Sequence, residues 1–242
     1  MTQHVLLDNV THKDLRIRRR YEPGCGFDQN IARIFPVELG ILQAEYPLFF
    51  FKNPDSGQFE PVALLGLEEG ENLYLGGDHW RARIQPLSIQ RLPFLIGFQE
   101  QMIDGIPERR PVVTVDMDDP SVSDSEGEPV FLPHGGESPL LEQMNEVLAT
   151  IHEDQEAMAT LSRVLVGLDL IESFRLDITF DNGKELSVTG LHRIDEERLE
   201  GLDGGALQTL HEGGHLRIIY MMLASLPNLG TLIRRKNQLL AS

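Results

Sequence analysis

The sequence predicts an α+β protein: a mostly antiparallel sheet of buried hairpins, one long helix packed on it, and a helical C-terminus. Three observations carry this. From Tyr46 to Phe98 long apolar runs alternate with turn residues, as YPLFFF, PVALLGLEEGENLYLGGDHW and PLSIQRLPF, which is the pattern of buried strands. Between Leu140 and Leu168 apolar residues recur at three- and four-residue steps, the spacing of one helix face. From Phe174 to Val188 apolar and polar residues alternate around Asp181-Asn182-Gly183, a turn suited to positive φ.

Length and charge bound the function. A chain of 242 residues with 41% hydrophobic content can bury a sizeable core, and one domain is expected over residues 1–242. Its formal charge of -17 repels phosphate backbones, because nucleic-acid binding needs Lys and Arg to displace counterions. Nucleic acid is therefore not an expected partner. Lys13, Arg16, Arg18, Arg19 and Arg20 near the start, and Arg234, Arg235 and Lys236 near the finish, read as solvated faces. Val5 to Leu7 is too short for the apolar core of a secretory leader. Runs such as Ile218 to Leu226 fall short of the roughly 18 residues that span a bilayer, so no membrane insertion is expected. Cys25 alone cannot build a disulfide framework, and a cytoplasmic location is expected.

The first 34 residues read as a short strand, a basic strand or arm, and a loop at Pro23-Gly24-Cys25-Gly26. Pro36 starts a short helix with Val37, Ile41, Leu42 and Tyr46 on one face. Leu48 to Phe51 and Pro61 to Leu67 form a buried hairpin across Asn53 to Gln58, and Leu73 to Leu75 resumes a strand. Short strands follow at Phe94 to Phe98 and Pro111 to Val115. The acidic, Ser-, Pro- and Gly-rich stretch of about 116–138 reads as a mobile surface loop. In the long helix only Asp154 breaks the stripe. Asp195 caps a short helix carrying Leu199 and Leu202, a second runs through Leu207 and Leu210 to Gly213, and Pro227 kinks the C-terminal helix.

Most catalytic motifs fail on physical grounds. His211-Glu212-Gly213-Gly214-His215 matches HExxH, whose chemistry needs both imidazoles on one helix face. Paired glycines end a helix instead, at about 1 kcal/mol each, and no Asp, Glu or His follows as a third ligand. His152-Glu153-Asp154 sits in a helix, where residues two apart point about 200° away from each other. The run Asp116, Asp118, Asp119 has Ser121 and Gly127 where a calcium loop needs Gly and Glu. Neither a nucleophile elbow, a phosphate loop nor a dinucleotide fingerprint occurs. Cys25 reads as an inert loop thiol rather than a nucleophile served by His79, His134 or His192. No metal and no cofactor is expected.

Read together, Pro61-Val62-Ala63-Leu64-Leu65-Gly66-Leu67, Gly70-Glu71-Asn72-Leu73, Trp80 and Pro93-Phe94 resemble the bacterial SapC family. Gly190-Leu191, Ile194-Asp195-Glu196, Leu199, Gly214, Tyr220, Ser225-Leu226 and Asn228-Leu229 resemble its C-terminal pattern, so the resemblance covers most of the chain. Gln90-Arg91 departs from it, standing where two basic residues and an aromatic are expected, which argues against an anion site there. The resemblance implies an association with surface-layer protein or peptide export, near outer-membrane receptors and halogenase-like or cupin-like proteins. It carries over no catalytic residue.

Two functional readings follow. The favoured one is a non-enzymatic accessory protein that binds a peptide or protein partner in an export or peptide-modification system. The alternative is an enzyme of unfamiliar type acting on a peptide or small molecule near Trp80 and Arg91. Asn72, Trp80 and Arg91 are the candidate binding residues, being polar or aromatic groups set at turns beside apolar runs.

Overall fold

In the computed structural model, which describes residues 3–103 and 106–241, the elements follow one another as short strands, two long hairpins and a largely helical second half. They are β1 (His4–Leu6), β2 (Arg16–Ile17), β3 (Ile31–Arg33), α1 (Leu39–Leu42), β4 (Leu48–Lys52), β5 (Phe59–Leu64), α2 (Leu87–Gln90), β6 (Phe94–Ile103) and β7 (Ile106–Asp116). Then come β8 (Val122–Ser123), β9 (Glu128–Pro129), α3 (Pro139–Glu153), α4 (Gln155–Gly167), β10 (Ile171–Thr179) and β11 (Glu185–Ile194). The chain closes with α5 (Glu196–Glu200), α6 (Gly204–Glu212), α7 (His215–Ser225) and α8 (Leu229–Ala241). By its internal contacts it forms two compact units. One takes Met1–Asp28, Leu75–Arg81 and Leu87–Glu153; the other takes Gln29–Tyr74, Ala82–Pro86 and Asp154–Ser242.

The second of these units is built on an antiparallel sheet in the order β10-β11-β4-β5-β3. Leu48, Phe49 and Phe50 are buried in succession because β4 lies at the centre of the sheet, where side chains on both faces are covered. Both predicted hairpins are present, β4 with β5 and β10 with β11, and Phe49 stacks on Phe174 at 5.2 Å. Serines on the covering helices satisfy the strand ends. Ser162 of α4 accepts from the Phe59 N–H at 3.0 Å, and Ser225 of α7, fully buried, accepts from the Leu48 N–H at 2.9 Å. A buried donor left unpaired costs about 1–3 kcal/mol, which explains a serine on an otherwise apolar face. Asp195 caps α5 through the Arg198 N–H, as expected.

The C-terminal helices bind the turn that follows β5. A Cβ on Gly66 would lie 2.1 Å from the Glu71 carbonyl oxygen, so only glycine lets the chain fold back here. Glu71 accepts from the Leu67 N–H at 2.9 Å, and the Leu73 N–H donates to the Leu65 carbonyl at 2.9 Å. Lys236 of α8 then reaches in, its ammonium hydrogen-bonded to both Glu68 and Glu71 while its side chain is 6% exposed. Burial pulls the Lys236 pKa down, but the hydrogen bonds to Glu68 and Glu71 outweigh it and the net shift is upward. Glu68 is held below its ordinary 4.5, first by Lys236 and then by Lys184. Arg235 lies over the Tyr74 ring at 4.2 Å, and Tyr74 packs on Tyr46 with its hydroxyl donating to the Glu45 carbonyl.

The first unit contains an antiparallel sheet in the order β1-β7-β6, with α3 packed along β6, and a small sheet in the order β8-β2-β9. Ser138 opens α3 by accepting from the Leu141 N–H, and Leu140, Leu141, Met144, Val147, Leu148 and Ile151 form its buried face.

Several expectations are corrected. The stripe from Leu140 to Leu168 is two helices, since α3 ends at Glu153 and α4 begins at Gln155; Asp154 between them accepts from the Val37 N–H at 2.9 Å. The predicted face of the first helix is half right: Leu42 and Tyr46 are buried, but Val37 and Ile41 are 58% and 56% exposed. The turn is a single 3-10 step at Pro36–Glu38 running into four α residues, which buries Leu39 instead. Leu73 to Leu75 is no strand, because the backbone returns to Leu65 and only Leu75 makes a bridge, to Trp80. The acidic stretch holds β8 and β9, which clasp the basic β2 from both sides, and buries Ser121, Val130 and Phe131. His215–Ala241 is long and apolar enough by length and hydropathy to cross a bilayer, contrary to the expectation from single runs. It is divided by the 3-10 turn Leu226–Asn228 at Pro227, and Ile219, Met222 and Leu232 face the core of their unit.

Two measurements check this account. Lys236→Met should destabilise the protein by roughly 2 to 3 kcal/mol in chemical denaturation, less than the about 3–5 kcal/mol for a wholly buried pair because Glu68 keeps 36% of its surface. The native cluster should stabilise fully between the ordinary values of 4.5 and 10.5, losing its contribution as pH falls through the lowered Glu68 value or rises through the raised Lys236 value. Limited proteolysis with a broad-specificity enzyme should cut first at Asp124–Gly127, which is exposed between β8 and β9. First cuts inside β4 or β5 would contradict the assignment of the core.

Candidate functional site

β6 and β7 run as a ribbon with register from Phe94↔Val115 to Ile103↔Ile106, while β1 pairs only with Thr114 to Asp116. Beyond that short strand the ribbon has no third strand among the described residues. Period-two alternation places Phe94, Ile96 and Phe98, with their partners Val115, Val113 and Pro111, on one face. α3 covers the inner part of this face. Phe94 and Val115 are fully buried, whereas Phe98 is 47% and Met102 70% exposed.

Between the ribbon and the end of α3 lies an apolar groove of about 210 Å³ lined by Ile96, Pro111, Val113, Leu148, Ala149 and His152. Phe98 stands beside it, its ring centroid 5.9 Å from that of the lining residue His152, with the Arg109 guanidinium over the Phe98 ring at 4.5 Å from its centroid. Small-molecule sites occupy about 300–1,000 Å³, so the groove is smaller than a substrate pocket and suits one apolar side chain. Larger hollows of about 660 Å³ occur elsewhere, one near Thr11 to Arg18 and one near Asp195 to Ala206, and both have charged side chains in their walls. Among the described residues no group of three or more His, Cys, Asp and Glu side chains is placed to hold a metal ion.

The three candidate binding residues fall in different settings. Asn72 is buried in the turn after β5, its side-chain oxygen accepting from the Tyr74 N–H at 3.0 Å. Trp80 is 8% exposed and packs edge-on against Tyr21 at 5.9 Å. Arg91 is half-buried in the turn before β6 and donates to the Phe94 carbonyl at 2.9 Å. Trp80 and Arg91 belong to the unit that carries the groove, and Asn72 belongs to the other. Arg91 alone is contiguous in sequence with the ribbon. The apolar run predicts Phe98 as the end of a buried strand; the signal for its outward position is the polar run Gln99-Glu100-Gln101 that follows it.

The metal-like motifs take other roles. α6 ends at Glu212, Gly214 adopts φ 71, and His215 begins α7, so the two imidazoles of the HExxH match belong to different helices. The positive φ is open to glycine and strained for other residues. His215 is instead 9% exposed with its Nδ1 unbonded among the described residues, and burial holds its pKa below the ordinary 6.5. His192 is lowered too, by burial and then by the Lys52 charge, and its ring stands edge-on to Phe59 at 4.8 Å. Cys25 is a free, half-exposed thiol in its loop.

Fold and groove define a mixed α and β protein of antiparallel sheets, with a side-chain-sized apolar groove beside a long ribbon. The chain belongs to the SapC family, whose model matches residues 7–232. Comparison with curated proteins and with solved structures found no match.

The histidines set a pH dependence. Because both are lowered on folding, the unfolded chain takes up protons more readily, so stability is complete above about pH 6.5 and falls as pH drops through that value. Denaturation midpoints taken from about pH 8 to 5 should show this fall, and His215→Gln should flatten part of it. A midpoint constant across that range would contradict the buried, neutral imidazoles.

Proposed function

We infer that this SapC-family chain works by binding rather than by catalysis, as an accessory protein of a bacterial surface-layer, peptide-export or peptide-modification system in the cytoplasm. Its ligand is an extended peptide segment. The observation that carries this reading is the ten-residue strand β6, which has β7 as its one strand neighbour among the described residues and exposes Phe98 near the groove and Met102 further along. A strand with a free edge pairs with an incoming chain through main-chain hydrogen bonds, and pockets for alternate side chains then supply selectivity. The groove fits one such side chain. Arg91, just before the strand, donates to the Phe94 carbonyl and so steadies its entry, and Arg109 over Phe98 adds a cationic contact suited to an acidic or carbonyl group beside the apolar anchor.

Panning a random peptide display library on the immobilised protein tests the reading. Selected peptides should share apolar residues at alternate positions, and Phe98→Ala should weaken a selected peptide about tenfold or more, equivalent to about 1.4 kcal/mol, without changing Tm appreciably. Arg91→Ala should weaken it less. Trp80→Ala should lower stability by about 3 kcal/mol or more, because the residue is packed in the core of its unit. Peptides with no alternating pattern, or full binding by Phe98→Ala, would refute the site.

A further inference from the structure

We propose that helices α7 and α8, with the exposed side of α1, form a surface that docks peripherally on an anionic lipid bilayer. The charge distribution is the first observation. After Glu212 the sequence holds none of its 38 acidic residues but four cations, so residues 1–212 carry -21 against the overall -17; of the four, Arg217 and Arg234 are exposed, while Arg235 packs over Tyr74 and Lys236 is held by Glu68 and Glu71. Screening within about 8–10 Å confines the acidic remainder, and what a membrane meets is the charge of the docking face.

Incomplete burial is the second observation. An eighteen-residue window of His215–Ala241 has mean hydropathy 1.4, yet only 28% of it is buried. Arg217, Tyr220 and Ala224 are exposed at three- and four-residue spacing and therefore share one face of α7. α1 lies against this helix, since a Cβ on Gly40 would stand 3.5 Å from Met221 Cε, and α1 and the turn before it leave Ile41 and Val37 exposed. On α8, Arg234 and Leu239 are exposed. Cations interleaved with an aromatic and aliphatic residues are what an interfacial helix presents to headgroups.

The segment lies on the bilayer and does not cross it. Ile219, Met222, Ser225 and Leu232 are committed to the core of their unit, Lys236 is held by Glu68 and Glu71, and the 3-10 turn at Pro227 interrupts the helix. Binding through two exposed cations, Arg217 and Arg234, and a few apolar side chains is weak and reversible.

Vesicle flotation of the intact protein tests this. Vesicles of phosphatidylcholine with about one-third phosphatidylglycerol should carry up at least about fivefold more protein than pure phosphatidylcholine at low salt, and high salt should remove most of the difference. The double variant Arg217→Gln, Tyr220→Ser should lose most of that flotation with Tm unchanged. Phe98→Ala should float as the native protein does, which separates this surface from the peptide groove. Equal flotation with neutral vesicles, no flotation with anionic ones, or native flotation of the double variant would each overturn the proposal. So would sedimentation as a dimer without vesicle binding, because a second copy would then be what covers the face.

Discussion

The buried ammonium of Lys236 between Glu68 and Glu71 is the constraint on which the larger of the two units turns. Taking a lysine out of water costs several kcal/mol, and only closely placed carboxylates offset it. Here two of them are supplied by a turn whose own geometry depends on Gly66 passing against the Glu71 carbonyl. Position along the chain therefore stops mattering: α8, more than 160 residues downstream of Glu68, decides how the end of β5 is finished. Arg235 next to it covers Tyr74, and Tyr74 covers Tyr46, so one ionic cluster orders the aromatic layer behind the central strand. Ser225 and Asn228 serve the same end by satisfying Leu48, Gln43 and Tyr46 backbone groups.

The β6–β7 ribbon is held by different means. Its outer half relies on main-chain pairing and a few side chains of α3, with Phe98 and Met102 left in solvent. Such segments open at lower free energy than a packed core, and binding surfaces are drawn from them. An extended ligand would add the packing that the ribbon lacks. The groove beside it is small, and His152 and Glu153 in its wall stand at the end of α3.

The candidate site was only partly legible in the residues. Asn72 and Trp80 are polar and aromatic groups at turns, and both are buried, Asn72 closing its own turn and Trp80 packed in its unit. Turn chemistry and ligand chemistry use the same residue types, and no local pattern separates them. Arg91, a polar residue at a turn beside an apolar run, adjoins the ribbon because β6 begins three residues later at Phe94. Phe98 was hidden for the opposite reason: an apolar residue ending an apolar run reads as core unless one knows how far α3 extends over the sheet.

By itself the sequence determined the α+β class, the two hairpins with their turns, the cap at Asp195, the interruption at Pro227 and the failure of the HExxH match to form one helical face. All of these rest on interactions within a few residues, where periodicity, turn chemistry and capping act directly. It also identified the chain as a SapC-family member. Only the tertiary structure decided that the stripe from Leu140 to Leu168 is two helices, that the acidic stretch clasps β2, and that Val37 and Ile41 face outward while Glu38 is buried. Those outcomes depend on partners far away in sequence, such as Val37 for Asp154 and Arg16 for Ser123 and Pro129. Local spacing contains the capacity for such contacts but not the distances that realise them.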